Sequence, residues 1–206
     1  LVAENTRVVS ATIGQDSLDA GIVAGLVGLL LVALFIVGYY RLLGLVAMAS
    51  LAVSGSMLWS IVAHLGTQSG LALTLAGITG IIVAVGVSVD SNVVYFEHLK
   101  EDIRDGRTAR SAVDRAFPIA FATIVKADTA SLIGAALLWW LTVGAVRGFA
   151  FYLGLATILD LVATYFFMGP MVRVLARTSW FAQRPSLFGL PASGAVVRPE
   201  LKASTS

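Results

Sequence analysis

Long uninterrupted runs of apolar residues dominate this chain, and its polar residues gather in the shorter stretches between them. Five of the runs contain about 20 residues or more, which at about 1.5 Å per residue lets a helix cross the hydrocarbon core of a bilayer. The runs occupy residues 21–40, 42–63, 71–96, 119–145 and 148–172. The pattern therefore predicts an all-α polytopic membrane protein, a bundle of five transmembrane helices.

The segments around these runs predict the domain organisation. Residues 20–177 form the transmembrane domain, and the polar residues 1–19 are interpreted as the end of an external domain that is missing here. Residues 97–117 connect the third and fourth spans as a cytoplasmic helical loop, expected to contain two short helices. This loop is either a solvated hairpin or a docking surface for a partner. Residues 178–206, rich in Pro, Gly and Ser, predict a disordered tail.

The distribution of basic residues predicts the orientation of the bundle, because Lys and Arg near the ends of spans stay on the cytoplasmic side. Of the 14 Lys and Arg residues, eleven fall on the side of the tail, Arg7 and Arg147 fall on the other side, and Lys126 lies within a span. We therefore expect an external N-terminus and a cytoplasmic C-terminus.

Composition supports a membrane protein and excludes several kinds of site. Of 206 residues, 58% are hydrophobic and only 13% are charged, and the mean hydropathy of +0.89 lies above the range of water-soluble domains. The absence of cysteine excludes disulfide scaffolds and cysteine nucleophiles, and two isolated histidines leave little for a metal site. No phosphate-binding GxxxxGK[ST] motif is present. We expect no cofactor, no metal and no nucleic-acid partner.

Four ionisable residues lie within the predicted spans: Asp90, Lys126, Asp128 and Asp160. Such a group costs at least about 2.5 kcal/mol to insert, so it must face protein or water, and by default it indicates an ion or proton path. Helix rise places Asp90 about 10 Å and Asp160 about 20 Å from the cytoplasmic ends of their spans. We interpret Lys126, Asp128 and Asp160 as a relay or an ion-pair set.

Asp90 is the strongest of these candidates, because Ser88, Ser91 and Asn92 surround it in sequence and form a polar patch. We assign proton coupling to Asp90, Asn92 and Ser88. Lys126 is expected either to pair with Asp90 or to extend to the lipid headgroups. Asp160 could instead make a packing hydrogen bond between helices.

The run GVSVDSNVVYFEHLKE, residues 86–101, followed by Gly106-Arg107-Thr108, resembles the signature of the SecD family of export-accessory membrane proteins. In that signature an apolar span ends in V-D-x-N-V and is followed by a Glu-x-hydrophobic-Lys-Glu helix and a G-R-[ST] turn. The matching loop residues in this chain are Glu97, Lys100, Glu101, Gly106 and Arg107. The stretch GAVRGFA, residues 144–150, is also similar to the family pattern.

The resemblance implies a member of the resistance-nodulation-division superfamily in the bacterial cytoplasmic membrane, with six membrane helices per protein. It also implies that the protein pairs with SecF beside the SecYEG channel, and that the preprotein is pulled outward after SecA has pushed it. The resemblance further implies that proton flow through the membrane helices drives motion of the external domain, which holds the preprotein, and that the aspartate matching Asp90 is the leading candidate for the protonated group. One departure is the Lys126-Ala127-Asp128 triplet, which stands where many members have D-A-N.

Three other functions remain open. The first is a proton-coupled exporter of small molecules or lipids from the same superfamily. The second is a structural partner of the channel that does not couple to protons. The third is an intramembrane aspartyl protease, but Val-Ser-Val precedes Asp90 where the known membrane version has G-x-G-D. We therefore predict that the protein is not an enzyme.

Overall fold

The computed structural model describes residues 11–69 and 74–178, and all the regular structure in them is helical. The elements are α1 (Ala11–Tyr40), α2 (Leu42–Ser69), α3 (Leu75–Arg104), α4 (Ala109–Leu141), α5 (Ala145–Ala163), a π-helical segment (Thr164–Met168) and α6 (Gly169–Arg177). Within the described residues, five helical stretches are long and apolar enough to cross a membrane, and the fifth runs from α5 through α6. The prediction of an all-α membrane protein with five long helices is confirmed.

Helix α5 packs against α2, α3 and α4, while α3 also contacts α1 and α4. Helix α1 lies at the edge of the bundle and leaves most of its large apolar side chains uncovered by protein. Those side chains include Ile22, Val23, Leu26, Val27, Leu30, Leu31 and Leu34. Such a face is suited to contact with lipid or with a further membrane segment.

Close approaches at glycines define the direction and register of the packed helices. A methyl group at Gly80 on α3 would lie only 2.6 Å from the carbonyl oxygen of Phe149 on α5. Further along both helices, Ser88 meets Asp160, so α3 and α5 run parallel. Small residues permit this approach, as is common between membrane helices.

Helix α4 runs antiparallel to α5. Gly154 on α5 lies against Ala135 of α4, whereas Gly169, which follows α5 in the chain, lies against the ring of Phe117 near the start of α4. Interpolating between these two contacts places Asp128 of α4 at the level of Asp160.

Most of the basic residues lie at one end of the bundle, which we call the basic end: it holds the α1–α2 turn, the α3–α4 turn and the end of α6. Arg41, with φ of 51°, forms the first of these turns. Gly106, with φ of 87°, allows the second. Thr108 then caps α4, because its hydroxyl accepts a hydrogen bond from the Ser111 amide at 3.4 Å.

The connection between α3 and α4 is shorter than the sequence predicts. Residues 97–104 continue α3 and residues 109–117 continue α4, so only 105–108 are non-helical and no separate surface helices form in this stretch. The helices extend this far because they pack on each other through buried side chains such as Leu99, Ile103 and Val113. This packing corrects the expectation of two short helices at the membrane surface.

A buried cluster separates the middle of the bundle from the basic end. We call it the apolar seal and define it by Tyr95, Phe96, Leu99, Phe117, Met168 and Val172. The Tyr95 and Phe117 rings pack edge to face with centroids 5.4 Å apart, and the ring of Phe117 fills the space left by Gly169. These contacts join α3, α4 and α6 into one core.

The remaining domain predictions stay predictions. Residues 1–10 and the tail 179–206 lie outside the described residues, while residues 11–19 belong to helix α1. The separation of basic residues between the two ends agrees with the sequence, but the orientation of the bundle across a membrane remains an expectation.

Candidate functional site

Two carboxylates lie buried at the same level in the middle of the bundle. Asp128 on α4 is 1% exposed and Asp160 on α5 is 5% exposed. We call these two residues and Ser88 the carboxylate layer.

The two carboxylates differ in how they are hydrogen-bonded. The Ser88 hydroxyl on α3 donates a hydrogen bond to Oδ1 of Asp160. By contrast, neither carboxyl oxygen of Asp128 has a hydrogen-bond partner among the described residues. A buried carboxyl group without partners is costly, and for this reason it indicates a functional site more strongly than a structural one.

Two further buried oxygens near this layer lack hydrogen-bond partners in the described part of the chain. They are Oδ1 of Asn92 and Oγ1 of Thr164. Because α3 and α5 are parallel and Ser88 meets Asp160, Asn92 and Thr164 each lie one helical turn nearer the basic end. The polar interior therefore extends from the carboxylate layer toward the apolar seal.

A cavity of about 260 Å³ lies between α3 and α4, and the buried Asp128 is one of its lining residues. We call it the α3–α4 cavity. Its polar lining consists of Asp90, Ser91, Thr123, Asp128 and Ser131. A groove with two carboxyl groups and three hydroxyl groups is suited to hold water and protons and is poorly suited to lipid.

A second cavity, of about 290 Å³, lies on the other side of α3, among α1, α2, α3 and α5. We call it the α2–α5 cavity. Its lining is mostly apolar, but Ser54, Ser88 and Asp160 contribute polar groups. The carboxylate layer thus has one aspartate on each of two separate cavities.

The structure places Asp90 at the surface of the chain, where it lines the α3–α4 cavity. Lys126 is also exposed, and no ion pair joins it to Asp90 within the described residues. The predicted ion pair therefore does not form. Lys126 lies two residues from Asp128, so it projects from nearly the opposite side of α4 when Asp128 faces the bundle.

The polar patch predicted around Asp90 divides among different faces of α3. Ser91 lines the same cavity as Asp90, whereas Ser88 bonds to Asp160 on α5. Asn92 is buried and lies one turn from Ser88. Residues two apart on a helix point about 200° away from each other, which is why Ser88 cannot join Asp90 in one site.

The predicted loop residues form a cluster at the basic end. Lys100 is 4% exposed, and its Nζ lies 3.0 Å from Oε1 of Glu97. The same Nζ lies 4.2 Å from the ring centroid of Tyr39 and 4.1 Å from that of Tyr40. Tyr40 also donates a hydrogen bond of 2.8 Å to Glu97. This cluster anchors the end of α1 to α3.

The other loop residues hold the α3–α4 turn. Arg107 Nε lies 3.3 Å from Oδ1 of Asp102, and Arg115 Nε lies 3.7 Å from the same oxygen. Gly106 provides the left-handed turn conformation, and Glu101 is exposed. These contacts give most of the predicted loop residues a structural role in the chain.

Sequence reasoning ranked Asp128 below Asp90, and it allowed a packing hydrogen bond for Asp160 without identifying Ser88 as the partner. The glycine spacing offered a signal for the contact between Ser88 and Asp160, because Gly80 on α3 marks a close helix contact two turns before Ser88. No signal in the sequence identifies Tyr39 and Tyr40 as the partners of Lys100, because α1 and α3 are far apart in the chain.

The fold and the buried carboxylates define a class: a polytopic membrane protein with ionisable residues in its interior. A family described as protein export membrane protein SecD/SecF, C-terminal, matches residues 2–178. The chain belongs to this SecD/SecF family.

Relatives and solved structures agree with this assignment. The chain is 43% identical to the protein translocase subunit SecD of Streptomyces coelicolor over 97% of its length. It is 46% identical to SecD of Mycobacterium tuberculosis H37Rv over 93% of its length. It also matches the crystal structure of SecDF, a translocon-associated membrane protein from Thermus thermophilus, with a TM-score of 0.75, 36% identity and coverage of 80% of this chain.

The chain spans about a third of the length of the curated relatives, 35% of the Streptomyces protein and 33% of the Mycobacterium protein. It covers 22% of the Thermus SecDF chain. A further SecDF crystal structure, titled as a super-membrane-facing form, matches with a TM-score of 0.71 and 35% identity.

Proposed function

We propose that this chain is the membrane part of a SecD-type subunit of the Sec translocase in the bacterial cytoplasmic membrane. In this proposal it works with SecF beside the SecYEG channel and uses the proton gradient to drive late steps of preprotein translocation, after SecA has acted. It carries out no enzymatic reaction. The observation that carries the proposal is the pair of buried aspartates, one of which has no hydrogen-bond partner among the residues that the structure describes, in a chain of the SecD/SecF family.

The buried carboxylates support coupling because protonation changes the free energy of packing around them. An ionised carboxyl group in a low-dielectric interior is unfavourable by several kcal/mol, and adding a proton removes that charge. A change of this size is enough to shift a helix bundle between two packings. The elements that respond are α3 and α5, since the Ser88–Asp160 hydrogen bond joins them.

Asp90 is the proposed entry point for the proton. Its carboxyl group is exposed on the chain and lines the α3–α4 cavity together with Asp128. At membrane depth an exposed carboxylate must face water or another protein surface, because lipid does not solvate it. We therefore place the partner subunit against the α3–α4 face, and we place the basic end of the bundle in the cytoplasm.

The proposal is tested by preprotein export into inverted membrane vesicles with and without a proton gradient. The full-length protein and its SecF partner are used, and native protein is compared with Asp90→Asn and with Asp105→Asn as a control. Asp105 is exposed in the α3–α4 turn. We expect Asp90→Asn to abolish stimulation by the gradient while the complex still assembles, and Asp105→Asn to retain it.

Gradient stimulation that survives in Asp90→Asn would contradict the role of Asp90. If gradient stimulation survives in Asp128→Asn as well, the protein is better explained as a structural partner of the translocon that does not couple to protons. Loss of assembly in Asp90→Asn would show that the residue acts in packing instead.

A further inference from the structure

An apolar groove of about 270 Å³ lies between α4 and α5, and we call it the α4–α5 groove. Its lining includes Leu132, Ala135, Trp139, Ala150, Gly154 and Ile158. None of its lining residues belongs to α3, and it shares none with the α3–α4 or the α2–α5 cavity. Apart from the indole nitrogen of Trp139, the lining in the described chain is apolar, so an apolar ligand fits it better than water or an ion.

A cation stands at one end of this groove. The Arg147 guanidinium lies over the ring of Trp139, with Cζ 4.5 Å from the ring centroid, and Arg147 is exposed. No acidic side chain of the described residues forms an ion pair with it. A guanidinium that stacks on an aromatic ring keeps its N–H edges free, and those edges match the oxygen geometry of a phosphate. The charge of Arg147 is therefore available to an anionic ligand.

The levels of residues along the helices place Arg147 at the membrane surface opposite the basic end. On α3, Gly80 lies about 25 Å along the helix axis from Glu97 at the basic end. Gly80 packs against Phe149 of α5, and Arg147 lies about 3 Å further from the basic end because α3 and α5 run parallel. The total is close to the thickness of a hydrocarbon core, which is about 30 Å. Arg147 is therefore at the level of the lipid headgroups when Glu97 lies at the other surface.

The side chains around Arg147 are those of a membrane interface. Among the described residues, Arg147 is the only Lys or Arg at the end opposite the basic end. Trp139 and Trp140, in the last turn of α4, are both exposed, and Trp is enriched where lipid headgroups meet hydrocarbon. This end of α4 and α5 thus combines an apolar groove, an interfacial aromatic ring and a single cation.

We propose that the α4–α5 groove and Arg147 form a binding site for a phospholipid of the leaflet opposite the basic end. One acyl chain lies in the groove and the phosphate group binds the Arg147 guanidinium. The groove runs about 10 Å along α4 from Trp139 to Leu132, which is less than the 15 Å or so of hydrocarbon in one leaflet. An acyl chain is therefore long enough to fill it. This inference requires a membrane-spanning chain but no proton coupling.

A helix of a partner subunit is the other occupant that such a groove could take, and two observations favour the phospholipid. Every phospholipid carries a phosphate at the depth of Arg147, whereas a helix offers an anion there only if an acidic residue lies at its end. The small residues of the groove are also already used within the chain, because a methyl group at Gly154 would lie 3.5 Å from Cβ of Ala135. The face proposed for the partner subunit, between α3 and α4, lies elsewhere.

Photocrosslinking tests the proposal, with phosphatidylglycerol that carries a diazirine on one acyl chain as the probe. The full-length protein with its partner is purified in detergent and titrated with the probe, and the labelled peptides are mapped by mass spectrometry. We expect label on residues 132–139 and 150–158. Arg147→Gln should need about tenfold more probe for half-maximal labelling, because a charge-assisted hydrogen bond to phosphate is lost. Arg147→Lys, which keeps the charge, should fall between the two.

A second pair of variants tests the groove without changing any charge. Ala136 is exposed on α4 and lines the groove, so Ala136→Leu should fill it and remove most of the label. Ala130 is also exposed on α4 but lies outside that lining, so Ala130→Leu should label as native protein does.

Two further probes separate the headgroup from other sources of the same chemistry. Diacylglycerol with the same diazirine chain has no phosphate, so native protein and Arg147→Gln should need equal amounts of it. Excess inorganic phosphate should not displace the phosphatidylglycerol probe, because it has no chain to occupy the groove.

Three results would overturn the proposal. Equal half-maximal labelling of native protein and Arg147→Gln by phosphatidylglycerol would show that Arg147 does not bind the phosphate. Undiminished label in Ala136→Leu would show that the chain does not lie in the groove. Absence of label from both helices in the assembled complex would show that a partner helix covers this face instead.

Discussion

Replacing Asp128 by leucine should stabilise the protein while damaging its function. Asp128 is 1% exposed and neither of its carboxyl oxygens has a hydrogen-bond partner among the described residues. A buried polar group left unsatisfied costs about 1 to 3 kcal/mol. The neighbouring α3–α4 cavity of about 260 Å³ gives the larger side chain room, so little of this gain is lost to overpacking.

We therefore expect Asp128→Leu to raise the free energy of unfolding by about 1 to 3 kcal/mol. The assay is thermal or denaturant unfolding of the full-length protein with its partner in detergent. The matched control is Asp160→Leu in the same layer, which should give no gain. That substitution leaves the Ser88 hydroxyl without the Asp160 acceptor to which it donates a hydrogen bond. Because Ser88 is only 3% exposed, water does not readily replace this acceptor.

A loss of stability in Asp128→Leu would refute this reasoning. It would mean that Asp128 is satisfied by groups that the described chain does not contain, such as a side chain of the partner subunit. A gain in stability together with loss of gradient-stimulated export would show that the aspartate is retained for function at the expense of stability.

Three other substitutions test the packing that positions the site. Gly80→Ala should destabilise by about 1 to 3 kcal/mol and weaken the α3–α5 contact, because the added methyl would lie 2.6 Å from the Phe149 carbonyl oxygen; thermal unfolding measures this. Lys100→Met should lower the free energy of unfolding by about 2 kcal/mol, since it removes a cation held 4.1 Å from the Tyr40 ring. Cysteines introduced on α1 and α3 should then crosslink at more varied pairs of positions. Thr108→Ala should cost about 1 kcal/mol in the same unfolding assay, because it removes the cap of α4.

Matched controls separate these effects from general sensitivity to mutation. Gly86→Ala on the same helix meets nothing within 4 Å, so it should be neutral or slightly stabilising. Glu101→Gln, at an exposed position beside Lys100, should leave stability unchanged. If Gly86→Ala destabilises as much as Gly80→Ala, the close α3–α5 approach is not the cause.

The helical membrane architecture follows from the sequence because length and apolarity alone determine a span. Every predicted run lies largely within a long helix of the structure. The length of the helices at the basic end could not be predicted in the same way. Residues 97–104 and 109–117 are polar enough for a surface loop, and only the pairing of buried faces such as Leu99 and Val113 keeps them in α3 and α4.

The sequence identified the candidate residues of the site, but it did not predict which of them are buried or which contact each other. Charge within the predicted spans identified Asp90, Lys126, Asp128 and Asp160 as candidates. Which of them are buried depends on the rotation of α4 and α5 about their axes, and Ser88 could be assigned to Asp160 only once α3 and α5 were seen to run parallel. Single-sequence periodicity does not contain that information.

In the proposed function, protons move through this part of the protein by way of the exposed Asp90 and the buried Asp128. This is tested by proton uptake into liposomes that contain the full-length protein and its partner, driven by an imposed membrane potential and read with an internal pH dye. We predict uptake in native protein and Asp105→Asn, and its loss in Asp90→Asn and Asp128→Asn. Equal uptake in all four proteins would contradict the account.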